Sequence, residues 1–317
     1  MFIKGDTVDD LLKKVFKEIL DNGAEVEPTK GKTKELSGVL LKLTNPLGRL
    51  SRTEGKGTIF SCLGELLWYL SGSNQLGQIQ YYIQSYHRYS DDGKTIFGAY
   101  GPKLFGVDGQ IPAVIRALQQ QSSTRKAVVQ LFASSDIKVH HNDIPCTCTL
   151  QFLVREGKLS LYTSMRSNDA FKGLPHDIFA FTMLQELVAR KLGLIMGEYG
   201  HYVTSLHIYT EDLEKIQSFQ NEGWQEKISM PPMPDGDQTN NVLQLLKHER
   251  QLRQLNSRVS DMHTDNYWKD LSILLEVFNL VKRKNYVSLK YIDQSITNIE
   301  LRRFATRKIK LSQENGV

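Results

Sequence analysis

The chain has 317 residues, 40% hydrophobic and 24% charged, an ordinary globular composition with material for a large core. No apolar run approaches the roughly 20 residues a bilayer requires, and the charged start, with Lys4, Asp6, Asp9 and Asp10, argues against a secretory signal. The net charge of +5 suits an anionic small substrate without demanding nucleic acid, and the three cysteines Cys62, Cys146 and Cys148 are too few for a disulfide framework, so a reduced, cytoplasmic compartment is expected.

Residues 8–20 carry apolar side chains at helical spacing and stop at Asn22-Gly23. Residues 36–43 read as a strand, 60–70 as a buried helix, 111–120 as a helix and 126–132 as a short strand. Residues 150–154 and 159–162 flank Glu156-Gly157-Lys158 as a hairpin. A helix is predicted over 176–192, with Asp177 near its start as a cap and Gly193 as its stop. The loop 231–236 precedes two further helices, 242–255 and 268–281. Helices and antiparallel-type strands mix without βαβ alternation, which predicts the α+β class. The basic stretch 301–310 reads as a solvated face, since only Phe304 could stack on a base.

Pro145-Cys146-Thr147-Cys148 places two cysteines two apart, on one side of a strand if the alternation is regular. No nearby His or C-x-x-C completes a metal site. A lone cysteine is usually core filling, but a polar lead-in, His140 to Asp143, suggests the mouth of a strand. Such a thiol becomes a nucleophile beside a cation, and Arg166, across the hairpin, could return to it.

Cys146, Gln151-Phe152, Arg166-Ser167-x-Asp169 and Gly173-Leu174-Pro175 resemble the active-site core of thymidylate synthases. Gly64-Glu65-Leu66-Leu67-Trp68, Tyr100-Gly101, Thr124-Arg125-Lys126 and Ser205-Leu206-His207-Ile208-Tyr209 resemble further elements of that family, together spanning roughly residues 60–210. The resemblance implies one domain over 1–317, with 237–317 as its helical, basic C-terminal part. It implies Cys146 as the nucleophile toward C6 of a pyrimidine nucleotide, steadied by Arg166. Arg166 and Ser167 would bind the phosphate, and Arg125 and Lys126 would reach it from a second subunit of a homodimer. Glu65 would organise water and proton transfers, and Tyr100 would assist loss of the C5 proton. His207 and Tyr209 would hold the 3′ hydroxyl. Asp169, Gly173 and Tyr86 would contact 5,10-methylenetetrahydrofolate, with no metal involved.

Asp177 stands where the synthase pattern has Asn. A carboxylate accepts from the cytosine amino group but opposes uracil O4, a mismatch of about 1–3 kcal/mol when buried. Asp177 and the stretch 165–169 resemble the (deoxy)cytidylate hydroxymethylase branch, although Asp177 could also be an N-cap. Thr147 and Met165 replace the pattern's His and Gln, Tyr86 and Tyr89 replace tryptophans near the folate, and the C-terminus differs from the short apolar tail of a synthase. The expected product is a 5-hydroxymethyl cytidine monophosphate, ribo or deoxy. Its rivals are methylation of deoxyuridylate and a non-catalytic nucleotide or RNA binder. For the synthase's phosphate-binding arginine loop, residues 29–33 and 49–52 both stand as candidates.

Overall fold

The computed structural model describes residues 1–28, 31–51, 58–223, 226–255 and 265–314. The backbone divides into two compact units, residues 1–229 and 230–317.

In the first unit, β1 (Phe2–Gly5) leads into α1 (Val8–Asn22). Thr7 starts that helix with a capping box: its hydroxyl accepts from the Asp10 amide at 3.1 Å, and Asp10 Oδ2 accepts from the Thr7 amide at 3.2 Å. The stripe Leu11, Leu12, Val15, Phe16 and Ile19 is buried. After β2 (Ala24–Val26) and β3 (Thr33–Leu43) comes α2 (Ile59–Leu70), apolar and buried on nearly every side. There follow α3 (Leu76–Tyr82), a 3₁₀ segment at Gln84–Tyr89, α4 (Gly101–Phe105) and α5 (Ile111–Gln120). The chain then runs through β4 (Val128–Gln130), β5 (Thr147–Arg155), β6 (Lys158–Asp169), α6 (Leu174–Lys191), β7 (Ile195–Tyr209) and α7 (Leu213–Asn221).

Among the described residues the sheet has seven strands in the order β1-β3-β7-β6-β5-β4, with β2 on β3. β1 with β3 and β6 with β7 are parallel, while the remaining pairs are antiparallel. The α+β expectation holds. The hairpin turns through Glu156 and Gly157, both at positive φ (51° and 72°), as a two-residue loop of this hand requires. α6 packs against β6, β7 and α2. This brings α2, the ends of β5 and β6 and the first turn of α6 together.

Two expectations are corrected. The strand at 126–132 shrinks to Val128–Gln130, because the Leu131 and Phe132 amides both turn onto the one carbonyl of Cys148 (2.9 and 3.3 Å). The helix expected from His176 begins at Leu174, since Pro175 needs no amide partner in a first turn. Gly173 is its N-cap, so Asp177 is not a cap.

The second unit is helical. It comprises α8 (Thr239–Leu255), α9 (Asn266–Lys282), α10 (Tyr286–Leu289) and α11 (Ile299–Glu314). α9 packs against α8 and α11. Trp268 is buried with its indole N–H on Gln238 Oε1 at 2.8 Å, and Asp270 accepts the Thr297 and Asn298 amides at 2.8 Å each.

Candidate active site

Cys146 is half-buried and immediately precedes β5. Along the hairpin, β5 and β6 pair regularly from Arg155↔Lys158 to Thr149↔Ser164, then shift by one residue, so that Thr147 lies opposite Met165. Cys148 is the extra residue of this bulge. The expected unbroken alternation from Cys146 to Cys148 therefore does not occur. The shift decides which residue faces Cys146. The Arg166 amide donates to the Cys146 carbonyl at 2.9 Å, whereas the unshifted register would set Ser167 opposite Cys146.

The Arg166 side chain is fixed by the same lead-in. Its Nε donates to the Pro145 carbonyl at 3.0 Å, and its Nη2 donates to the Ile144 carbonyl at 3.0 Å and reaches Cys146 Sγ at 3.5 Å. A guanidinium at this distance favours the charged form of a thiol over the neutral one.

Behind the thiol lies Tyr100. Its hydroxyl accepts from both the amide and the hydroxyl of Thr147, at 3.0 Å each. Thr147, noted in the sequence only as a replacement, is thus the anchor of Tyr100. Burial, then Cys146 and Asp177, push the phenol well above its ordinary range, so it keeps its proton at neutral pH.

Glu65 on α2 is buried, and its Oε1 accepts from the hydroxyls of Tyr69 at 2.9 Å and Tyr86 at 2.6 Å. Both phenols are pushed up, by burial first and then by Glu65. Tyr86, expected against the folate, has its hydroxyl on Glu65. Tyr69 was missed, although its four-residue spacing from Glu65 on a helix was a usable signal.

Asp177 is buried in the first turn of α6 and accepts at Oδ2 from Asn168 Nδ2 at 2.7 Å. Burial, then Glu65, raise its carboxyl to about 7. Gly173 makes room for this pair: a Cβ there would stand 3.1 Å from Asn168 Nδ2. Asn168 was missed because nothing in its spacing distinguishes it from any other strand residue.

Asp169 closes β6 with an Asx turn, its Oδ1 accepting from the Phe171 and Lys172 amides at 2.8 and 3.0 Å. Burial raises its carboxyl. It lies opposite His207 on β7, and the His207 ring meets Tyr209 edge-on at 5.3 Å. Ser167 is half-buried and paired with Ser205.

Cys146, Arg166, Tyr100, Glu65, Asp177, Asp169, Gly173, His207, Tyr209 and Tyr86 therefore lie on the elements that meet at this end of the sheet. Arg125 and Lys126 do not. They are exposed where the Arg125 carbonyl accepts from Gln151 at 3.0 Å, four residues and roughly 13 Å along β5 from Thr147. Of the candidate arginine loops, Arg49 is withdrawn: it is buried, and its Nη2 lies 2.5 Å from the equally buried Glu186. Thr29, Lys30 and Arg52 lie outside the described residues. Among the described residues no group of His, Cys, Asp or Glu could hold a metal ion, and no helix is long and apolar enough to cross a membrane.

The chain is 29% identical over 231 residues to the deoxyuridylate hydroxymethyltransferase of Bacillus phage SP01, covering 65% of this chain and 59% of that protein. Similar proteins of the same description occur in Delftia phage PhiW-14, 30% identical over 188 residues (55% of this chain, 52% of that protein), and in Pseudomonas phage M6, 32% identical over 162 residues (50% and 46%). The chain spans about half the length of these relatives. The thymidylate synthase family model matches residues 11–276, the span that holds every site residue described above, and the chain belongs to that family.

Proposed function

We propose that this protein transfers a hydroxymethyl group to C5 of a cytidine monophosphate, ribo or deoxy. The observation that carries the choice of base is Asp177, a buried carboxyl with one oxygen held by Asn168. Ionised, it offers acceptors to the cytosine amino group and to N3–H as C6 is attacked. The descriptions of the phage relatives support hydroxymethyl transfer.

Cys146 adds to C6, with Arg166 facing the sulfur as it gains charge and, together with Ser167, meeting the phosphate. Addition makes C5 a nucleophile. 5,10-Methylenetetrahydrofolate would supply the one-carbon unit at the oxidation level of formaldehyde. Asp169 fits it, with Oδ1 spent on two backbone amides and Oδ2 left for a ligand N–H; Gly173 and Tyr209 would flank it. Tyr100 remains protonated, so it relays the C5 proton through water and does not act as a standing base. Glu65, with one oxygen held by two phenols, orients the water that adds to the exocyclic carbon. His207 and Tyr209 would take the 3′ hydroxyl. Arg125 and Lys126, exposed and away from their own thiol, would serve the phosphate of a second subunit in a homodimer.

A second reading, hydroxymethylation of deoxyuridylate, is favoured by the phage relatives and by the raised carboxyl of Asp177. A protonated Asp177 can donate to uracil O4. The test is tritium release from CMP, dCMP and dUMP labelled at C5, with methylenetetrahydrofolate present and products identified by mass. A hydroxymethyl product from a cytidine nucleotide without dihydrofolate is expected. Turnover of dUMP alone would select the second reading, or plain synthase chemistry if dihydrofolate forms. Full biological function after Cys146→Ala would sink both in favour of a binding protein.

A further inference from the structure

Asn168 is a polar side chain in a place that would take an apolar one. It is buried on β6, which lies between β5 and β7 in the sheet, and its backbone pairs with Leu206. Its Oδ1 is buried with no hydrogen-bond partner among the described residues. An unpaired buried carbonyl costs stability, and a leucine of similar size would bury no polar atom there. What the amide contributes therefore lies at its other end, where Nδ2 donates to Asp177 Oδ2 at 2.7 Å.

The backbone is shaped around this pair. The Asx turn at Asp169 ends β6 and leads into α6, so the last residues of the strand face the first turn of the helix. Gly173 sits against both partners: a Cβ there would stand 3.1 Å from Asn168 Nδ2 and 3.6 Å from Asp177 Oδ2.

We infer that Asn168 is a specificity-determining residue, which holds Oδ2 of Asp177 as an acceptor and leaves Oδ1 to read the base. A buried carboxylate needs a donor to remain ionised, and the amide supplies one. The other groups around Asp177 are Glu65 and Tyr69 on α2, Tyr100, Asp169 at the end of β6, His176 on α6 and Tyr199 on β7. Burial, then Glu65, raise the carboxyl, and the Asn168 amide and His176 act against them. Asn168 is a positioning residue, since it acts on the base through Asp177. Its effect on base choice rests on Asp177 as the base reader, whereas its hold on the carboxyl does not. A reversed amide would meet Asp177 with Oδ1 and would hold the protonated acid instead, so the two orientations shift the titration of Asp177 in opposite directions.

The test uses the full chain labelled with ¹³C-aspartate, with the Asp177 carboxyl signal identified by its loss in Asp177→Asn. Asn168→Leu is expected to raise the titration of Asp177 by about one unit. No shift, or the fall that a reversed amide would give, would overturn the inference. The second readout is the ratio of kcat/KM for the cytidine nucleotide to that for dUMP. It should fall about tenfold in Asn168→Leu, because one unit changes the ratio of ionised to protonated Asp177 by that factor. Adding Asn168→Leu to Asp177→Asn should leave the ratio of the single variant unchanged. Equal losses on both nucleotides at every pH would reduce Asn168 to a packing role and overturn the proposal. If Asn168→Leu does not fold, Asn168→Ala removes the amide without adding bulk, and the same two readouts decide. A wild-type protein that turns over no cytidine nucleotide would refute the proposed function, while the carboxyl titration would still decide whether Asn168 holds Asp177.

Discussion

Arg166 Nη2 reaches Cys146 Sγ at 3.5 Å while two backbone carbonyls of the cysteine's own lead-in hold the same guanidinium. The cation cannot swing away from the sulfur without giving up both. Arg166→Lys loses the planar fork that makes these contacts together. Alkylation of Cys146 by iodoacetamide at pH 7 should slow by about tenfold in that variant, and turnover should fall further if the proposed phosphate contact goes with it. An unchanged alkylation rate would show that the thiol does not depend on Arg166.

Asp177→Asn should exchange the base preference, raising the ratio of dUMP to cytidylate turnover by about a hundredfold or more, the scale of a mismatched buried hydrogen bond on each side. In the wild type the same ratio should rise as pH falls below about 7, where Asp177 takes up a proton and becomes a donor. Competition assays between the two nucleotides at pH 6 and pH 8 measure it.

The same carboxyl should register in stability. An acid whose pKa is raised by folding favours the folded state while protonated. That contribution is complete below the unfolded value of about 3.9 and fades as pH rises to about 7. Asn at 177 does not titrate, so thermal unfolding should show Asp177→Asn gaining on the wild type between pH 4 and 7, by on the order of a few kcal/mol, and then holding level.

Arg49→Ala removes the nearer of the two cations on buried Glu186 and leaves it Arg190, 3.6 Å away. The change should cost about 3 kcal/mol in urea unfolding. Removal of a surface phosphate ligand would instead raise KM and leave stability alone.

Cys146→Ala and Arg125→Ala proteins, each inactive alone, should regain about a quarter of the wild-type activity when unfolded and refolded together. Half the dimers would be mixed, with one complete site in each. No recovery would place Arg125 outside the partner's site.

What the sequence made legible follows from where the information is local. Periodicity predicts α1, α2 and α5 because each buries a stripe or a whole surface, and Glu156-Gly157 marks the hairpin because that turn needs positive φ. The order of Cys146, Arg166 and Asp169 indicates the site because chemistry restricts those residue types. The partners Asn168 and Thr147 were not legible, whereas Tyr69 could have been read from its four-residue spacing from Glu65. The roles of the first two depend on which strand face they occupy and what it meets, and that is set by a bulge and by a helix start two residues earlier than the pattern suggested. Arg49 was misread for the same reason, since an arginine in a loop looks alike whether it meets solvent or Glu186.

The bulge at Cys148 and the two-residue turn at Glu156-Gly157 together act as a gauge. The turn fixes how the two strands count against each other, and the bulge subtracts one place just before the thiol. One residue added at the hairpin tip, roughly 30 Å of strand away, would slide the guanidinium off the sulfur and bring Ser167 or Met165 opposite Cys146, according to which strand takes it up, without altering any residue of the site itself. The companion of Cys146 is chosen by arithmetic along the chain, so proteins of this design should tolerate insertions in many loops better than one at that distant tip.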